Sequence, residues 1–238
     1  MLDSRRLSQS HTTRARSHPA CLQAPGDRAS ALDDVTVRRF VVGRSHVVFF
    51  DRDGIVNRRI EGGYVRAPDE FVFCDGFFPL FRWVKHAGFR AIIVSNQQGV
   101  AKGIMTDREL WALTEWMQSR IEERTGSRFD DVYYCTELDS PQSRCRKPQP
   151  TMLLEALTKW NGDASSSWMI GDMPSDVEAA VNAGVRAILV GHYAPDDAPA
   201  AFAIVPDLVA CLDVLRNAVE AQRSTAVAGS PSVSQSKK

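Results

Sequence analysis

The stretch Val47-Val48-Phe49-Phe50-Asp51-Arg52-Asp53-Gly54 sets four apolar residues directly against two carboxylates two positions apart. A short run of β-branched and aromatic residues that ends where charge begins is the pattern of a strand buried on both faces. The carboxylates then fall at its C-terminal end, and in an open parallel sheet ligands bind in the crevice outside that edge. Gly54 follows as a residue that lets the chain turn sharply. Two carboxylates so close repel unless a cation or a proton lies between them. The pair therefore suits a hard metal such as magnesium, or a division of roles in which one attacks and the other carries a proton. An isolated Asp-x-Asp-Gly is more often just a polar strand end followed by a turn, so the rest of the chain has to decide.

Three more polar clusters each follow an apolar, strand-like run. Ala91-Ile92-Ile93-Val94 leads into Ser95-Asn96-Gln97-Gln98-Gly99, a hydroxyl and amides that can donate to phosphate oxygens at a strand tip. Val132-Tyr133-Tyr134-Cys135 is followed, after a loop, by Arg146-Lys147-Pro148, which places fixed positive charge before a helix opening at Thr151. Trp168-Met169-Ile170 leads into Gly171-Asp172-Met173-Pro174-Ser175-Asp176, a second acidic pair at a strand-to-helix turn. Each alone is an ordinary βα loop or helix cap. Together, in this order, they gather carboxylates, a hydroxyl and a lysine on one sheet edge, which is the equipment of phosphoryl transfer.

In that order the chain resembles the haloacid dehalogenase superfamily of phosphohydrolases. That family has Asp-x-Asp on its first strand, Ser or Thr on its second, Lys before a later helix, and Gly-Asp followed by another Asp on its fourth. The match spans roughly residues 45 to 195. More finely, Asp51-Arg52-Asp53-Gly54 with Asn57, Gly63-Tyr64-Val65, Ser95-Asn96-Gln97 and Cys145-Arg146-Lys147-Pro148 resemble the heptose bisphosphate phosphatase and histidinol phosphatase branch. Asn57 and the Gly-Tyr-Val run lean toward the heptose side. The resemblance implies that Asp51 is the nucleophile and Asp53 the acid and base. It implies magnesium held by Asp51, Asp172 and the backbone carbonyl of Asp53, with Ser95 and Lys147 on the remaining phosphoryl oxygens. Asn57, Tyr64, Asn96, Gln97, Gln98 and Arg146 are then expected to face substrate. Arg146 has a planar fork suited to a second phosphate or a sugar hydroxyl pair. Asp176, four residues beyond Asp172, is expected behind the metal, orienting it or Lys147.

Two departures limit the finer match. The related phosphatases carry a zinc loop, Cys-x-His, a spacer, then Cys-x-Cys-Arg-Lys-Pro, where this chain has Cys135, Glu137, Ser143 and Cys145. A serine hydroxyl is a poor replacement for thiolate and structural zinc takes four ligands, so no stable zinc site is expected. The odd total of five cysteines argues against a disulfide framework, and Cys21, Cys74 and Cys211 read as buried free thiols. Met173 stands where that branch is typically basic, which weakens the substrate assignment and leaves the catalytic set intact.

Roughly forty residues separate Asp53 from Ser95; a loop, an extended run at Phe71-Val72-Phe73 and a helix from Gly76 to Ala87 stopped by Gly88 account for them. No separate cap domain fits. The charged loop 58–66, with Gly62-Gly63-Tyr64, is then the candidate grip on substrate. Thr106-Asp107-Arg108-Glu109 is a capping box opening a helix whose apolar stripe is Leu110, Leu113, Met117 and Ile121. Ala187-Ile188-Leu189-Val190 reads as a fifth strand, Gly184 as the stop of the helix before it, and Asp207–Gln222 as a closing helix.

With 238 residues, 29 basic against 29 acidic groups and 44% hydrophobic content, the chain can hold one sizeable domain and offers no basic face for nucleic acid. No run is apolar enough to span a bilayer. Residues 1–42 and 223–238 read as disordered tails around a phosphatase domain at 43–222. Asp3 and Asp27 oppose a transit peptide, and a signal-peptide core is missing. The expectation is a cytoplasmic monomer: one doubly wound α/β domain, mostly parallel, without a separate cap. Its expected activity is magnesium-dependent hydrolysis of a small phosphate ester through an aspartyl phosphate. A sugar bisphosphate such as D-glycero-D-manno-heptose 1,7-bisphosphate leads, with histidinol phosphate the nearest alternative. A receiver domain would need an aspartate at the end of the third strand, where Cys135 stands. A non-catalytic phosphate-binding protein would have no need to keep a nucleophile and its acid together.

Overall fold

The computed structural model describes residues 21–23 and 43–228. Its centre is β2 (Val47–Phe50), where side-chain alternation divides four completely buried residues between two layers. Val48 and Phe50 join one hydrophobic cluster; Val47 and Phe49 join the other. On one side β2 pairs in parallel with β3 (Arg90–Asn96), which pairs with β4 (Asp131–Cys135); on the other it pairs with β5 (Trp168–Gly171), then β6 (Arg186–Val190) and β7 (Ala203–Val205). A short β1 (Cys21–Gln23) lies antiparallel along β4, completing the order β1-β4-β3-β2-β5-β6-β7. The strand order reverses between β2 and β5, so the crevice of a doubly wound sheet opens where Asp51 and Asp172 emerge.

Helices α1 (Phe77–His86), α2 (Asp107–Thr125) and α5 (Leu208–Ala228) cover one face; α3 (Thr151–Lys159) and α4 (Pro174–Asn182) cover the other. The stripe Leu110, Leu113, Met117 and Ile121 is buried as its spacing requires. Thr106 accepts from the Glu109 N–H at 3.2 Å while the Glu109 carboxylate accepts from the Thr106 N–H at 2.7 Å. This reciprocal cap is worth about 1 kcal/mol.

The structure differs from the sequence reading in several places. Cys21–Gln23, inside the stretch read as an N-terminal tail, is an edge strand; the remainder of 1–42 and residues 229–238 lie outside the described residues. The extended run Phe71-Val72-Phe73 is tied by an antiparallel bridge between Phe73 and Asn57 and does not lengthen into a named strand. The Arg58 N–H donates to the Val72 carbonyl at 2.7 Å and the Cys74 N–H to the Val56 carbonyl at 3.0 Å, while the Phe71 and Phe73 rings pack on Trp116 and on each other. β7 is three residues long, too short to show alternation. Helix α5 continues past Gln222 to Ala228. Among the described residues no helical or sheet insert separates β2 from α1, and no helix is long and apolar enough to cross a membrane.

Candidate active site

Asp51 extends the line of β2, its N–H donating to the Ile170 carbonyl at 3.0 Å. One carboxylate oxygen lies 2.9 Å from Lys147 Nζ, which also lies 2.6 Å from Asp176 Oδ1 and donates to the Val94 carbonyl at 2.9 Å. Burial pulls the Lys147 ammonium down, yet Asp176 and Asp51 outweigh it and push its pKa up to about 12. Lys147 is therefore a fixed buried charge. Asn96 fixes its backbone, donating to the Lys147 carbonyl at 3.2 Å and accepting from the Lys147 N–H at 3.0 Å. A side chain expected to touch substrate is thus engaged in placing the lysine, although Asn96 also lines the cavity.

Asp53 is gripped from three sides. Arg52 reaches its two oxygens at 3.0 and 2.9 Å, Asn57 donates at 2.8 Å and Gln97 at 2.7 Å. Burial raises the Asp53 carboxyl, but the adjacent Arg52 charge and these hydrogen bonds bring it below the usual carboxylate range. Asn57 and Gln97 were expected on the substrate. Both are fully buried, neither lines the cavity, and their amides orient Asp53. Arg52 escaped the sequence reading, which treated it as a spacer; it is buried against Tyr134, 5.9 Å from the ring centroid. An arginine between two aspartates behind a buried strand could have been flagged, because such a cation persists in the interior only when paired.

The third group of oxygens comes from Asp172 and Asp176. Carboxylate oxygens of Asp51, Asp172 and Asp176 lie within 4.8 Å of one another. Two glycines allow this crowding. Gly54 has φ +105°, and a Cβ there would stand 2.0 Å from Asp172 Oδ2; a Cβ on Gly171 would stand 2.3 Å from the Asp176 side chain. Burial, then the Asp51 charge, push the Asp172 carboxyl up to about 8 against the pull of Arg59 and Lys147. The Asp176 carboxyl is also raised, by burial and by Asp51 against the pull of Lys147; its second oxygen accepts from the Met173 N–H at 3.0 Å. Hard oxygens in a like-charged cluster match a divalent cation of the magnesium type. Two further residues were missed. Tyr193 donates to the Asp172 carbonyl at 2.7 Å. Arg59, counted in the sequence only as one charge of a loop, lies 2.7 Å from Asp172 Oδ1, donates to the Asp53 carbonyl at 3.1 Å, and sits 3.9 Å from Asp51 Oδ2.

Above this floor a cavity of about 390 Å³ is lined by Asp51, Asp53, Ser95, Lys147, Gln98 and Arg146, with Tyr64, Gly62 and Gly63 on the loop side. Ser95 is buried and its hydroxyl accepts from Gln97 at 3.2 Å. Tyr64 accepts from Lys102 at 3.0 Å and stacks so close to Gly99 that a Cβ there would meet its ring at 3.0 Å. Arg146 approaches Asp139 at 3.3 Å and has one buried guanidinium nitrogen without a hydrogen-bond partner. Met173 lines the wall beside them.

The cysteines correct the sequence reading. Cys135 and Cys145 form a disulfide across a Cα separation of 5.5 Å. An odd total excludes only complete pairing, and the turn at Ser140-Pro141 brings these two together. Glu137 accepts from the Ser143 hydroxyl and from the Arg144 N–H. Cys211 is buried, whereas Cys74 is only half-buried; the Cys21 side chain lies outside the described residues.

The chain is similar to known proteins in sequence and in fold. The family model described as HAD-hyrolase-like matches residues 144–216. The D-glycero-beta-D-manno-heptose-1,7-bisphosphate 7-phosphatase of Yersinia pestis is 39% identical over 145 residues, 58% of this chain and 76% of that protein. The enzyme of the same name from Helicobacter pylori (strain ATCC 700392 / 26695) is 31% identical over 169 residues, covering 71% and 96%. In fold, the chain is similar to the crystal structure of D,D-heptose 1,7-bisphosphate phosphatase from B. bronchiseptica complexed with magnesium and phosphate, with a TM-score of 0.65 at 24% identity, covering 73% of this chain and 99% of that one.

Proposed function

Because this chain belongs to the haloacid dehalogenase-like hydrolases, in the family of heptose bisphosphate phosphatases, we propose that it hydrolyses a sugar bisphosphate, with D-glycero-D-manno-heptose 1,7-bisphosphate as first choice. The carrying observation is the convergence of Asp51, Asp53, Ser95 and Lys147 on one cavity beside the acidic cluster. Asp51, held by Lys147, attacks the phosphorus in line and gives an aspartyl phosphate. Asp53 protonates the departing alkoxide, then takes a proton from the water that cleaves the intermediate, help typically worth ~10² to 10⁴-fold. At rest Arg52 keeps Asp53 ionised, so its proton arrives with the substrate, whose phosphoryl charge opposes Arg52 and raises the proton affinity of the carboxylate.

Lys147 and the Ser95 hydroxyl hold phosphoryl oxygens as charge shifts in the transition state. Magnesium, held by Asp51, Asp172 and the Asp53 carbonyl, would neutralise further phosphoryl charge. Asp176 holds Lys147 in register. Tyr64, Gln98 and Arg146 contact the sugar or the second phosphate; the unpartnered nitrogen of Arg146 supports that role for it. We read the Cys135–Cys145 corner as closed by its disulfide and not by zinc, and the protein as a cytoplasmic monomer acting on a small ester; the balanced charge offers no basic surface for nucleic acid.

Phosphate release from heptose 1,7-bisphosphate, histidinol phosphate and simple phosphomonoesters, with and without magnesium and with Asp51→Asn as control, tests the reading. Preference for the bisphosphate, lost in the variant, supports it. Preference for histidinol phosphate keeps the chemistry and moves the substrate; turnover that survives Asp51→Asn refutes the nucleophile.

A further inference from the structure

Arg59 touches the same three groups that are assigned to the metal: the Asp172 carboxylate, the Asp53 backbone carbonyl and, at longer range, the Asp51 carboxylate. We propose that Arg59 is a built-in counter-cation that occupies the metal position in the resting protein and exchanges with the divalent ion. The inference rests on the metal-site reading given above.

Three carboxylates within 4.8 Å of one another, with Lys147 committed to Asp51 and Asp176, leave Asp172 without a cation of its own. The Arg59 guanidinium supplies one. A divalent ion needs these same oxygens, and two cations cannot share them at contact distance without strong repulsion. Binding of the metal therefore requires Arg59 to leave. The loop permits this, since residues 58–63, with Gly62 and Gly63 among them, are all exposed, so the side chain can swing without disturbing the core. Arg58, its neighbour, points elsewhere and pairs with Asp75 at 2.8 Å.

Exchange makes a signed prediction. If the inward position of Arg59 is favoured about tenfold over the outward one, the metal binds only the outward fraction and its apparent affinity is about tenfold weaker than that of the bare oxygen cluster. Removing the guanidinium should tighten metal binding, the reverse of what deleting an ordinary site residue does.

The test is a Mn²⁺ titration of the full chain followed by electron paramagnetic resonance, which reads free ion directly and needs no turnover. Wild type, Arg59→Gln, Arg58→Gln and Asp172→Asn are compared. The expected result is a Kd about tenfold lower in Arg59→Gln, unchanged in Arg58→Gln and much higher in Asp172→Asn. Thermal unfolding should show Arg59→Gln melting lower than wild type without metal and gaining more on saturation with Mg²⁺. An Arg59→Gln Kd equal to or above that of wild type overturns the exchange and leaves the metal site standing. Absence of Mn²⁺ binding by wild type, or wild-type affinity in Asp172→Asn, overturns the metal site and the exchange with it.

Discussion

Two clusters among the described residues have the composition of a metal site, and they treat their donors in opposite ways. Asp51 at the end of β2, Asp172 at the end of β5 and Asp176 in α4 are brought into mutual repulsion that a cation or a proton relieves, and Lys147 and Arg59 are the cations beside them. Cys135, Glu137 and Cys145 are equally close, yet the two sulfurs share a covalent bond and Glu137 accepts from Ser143 and Arg144. Proximity of ligating residues does not by itself make a metal site; the donors must also remain available. The acidic cluster keeps its acceptors open to exchange, whereas the cysteine corner is closed. The two are linked, since Cys145 lies two residues before Lys147 and so anchors the segment that carries the lysine.

The largest effect should come from the acidic cluster. Asp51→Asn is expected to lower kcat by at least ~10⁴-fold, since the amide cannot attack phosphorus and the remaining groups only position the ester. Steady-state phosphate release measures this, and a loss below tenfold would remove Asp51 from the chemistry. Lys147→Met comes next. It leaves Asp51 and Asp176 buried without their cation, which costs about 3–5 kcal/mol in urea unfolding. A cost below 1 kcal/mol would show that the lysine does not hold the cluster together.

Gly54→Ala probes the same cluster from the backbone side. The added methyl would stand 2.0 Å from Asp172 Oδ2 at a φ of +105°, so the variant should lose about 1–3 kcal/mol and bind Mn²⁺ more weakly. Unchanged metal affinity would mean that the close approach of Asp172 to Gly54 is dispensable.

Most of the fold and the centre of the site were legible because they depend on local pattern. The run Val47–Phe50 could only be a doubly buried strand, Thr106 and Glu109 announced a helix start, and each polar cluster followed its strand at once. What escaped depends on long-range placement. Arg52 and Arg59 look like solvated charges until Asp53 and Asp172 are seen beside them. Asn57 and Gln97 have the right chemistry for a substrate, and only the buried turn directs their amides to Asp53. Residues Cys21–Gln23 have too few apolar neighbours to announce a strand; β4 supplies the partner.

The cysteine corner should respond more mildly than the acidic one. A bridge closing a loop of this length stabilises by about 2–3 kcal/mol in the chain-entropy account, so Cys135→Ser with Cys145→Ser should lose that much in denaturant. Its kcat should fall less than tenfold, because Asn96 still holds the Lys147 backbone. A loss comparable to that of Asp51→Asn would erase the distinction between the two clusters.

The smallest effect concerns the thiols outside the bridge. Burial, reinforced by Asp172, pushes Cys74 up to about 12, and burial with Asp207 does the same for Cys211. A raised pKa keeps a thiol protonated below that pH, so at pH 8 the thiolate fraction is about 10⁻⁴ and alkylation waits for the chain to open. Iodoacetamide on the folded, unreduced protein should leave Cys74 and Cys211 unlabelled by mass spectrometry. Denaturant without reductant should expose both to labelling while Cys135 and Cys145 stay protected by their bond. Labelling of Cys135 or Cys145 under those conditions would mean that their sulfurs are free, and the cysteine corner would then return to being an open set of donors like the acidic one.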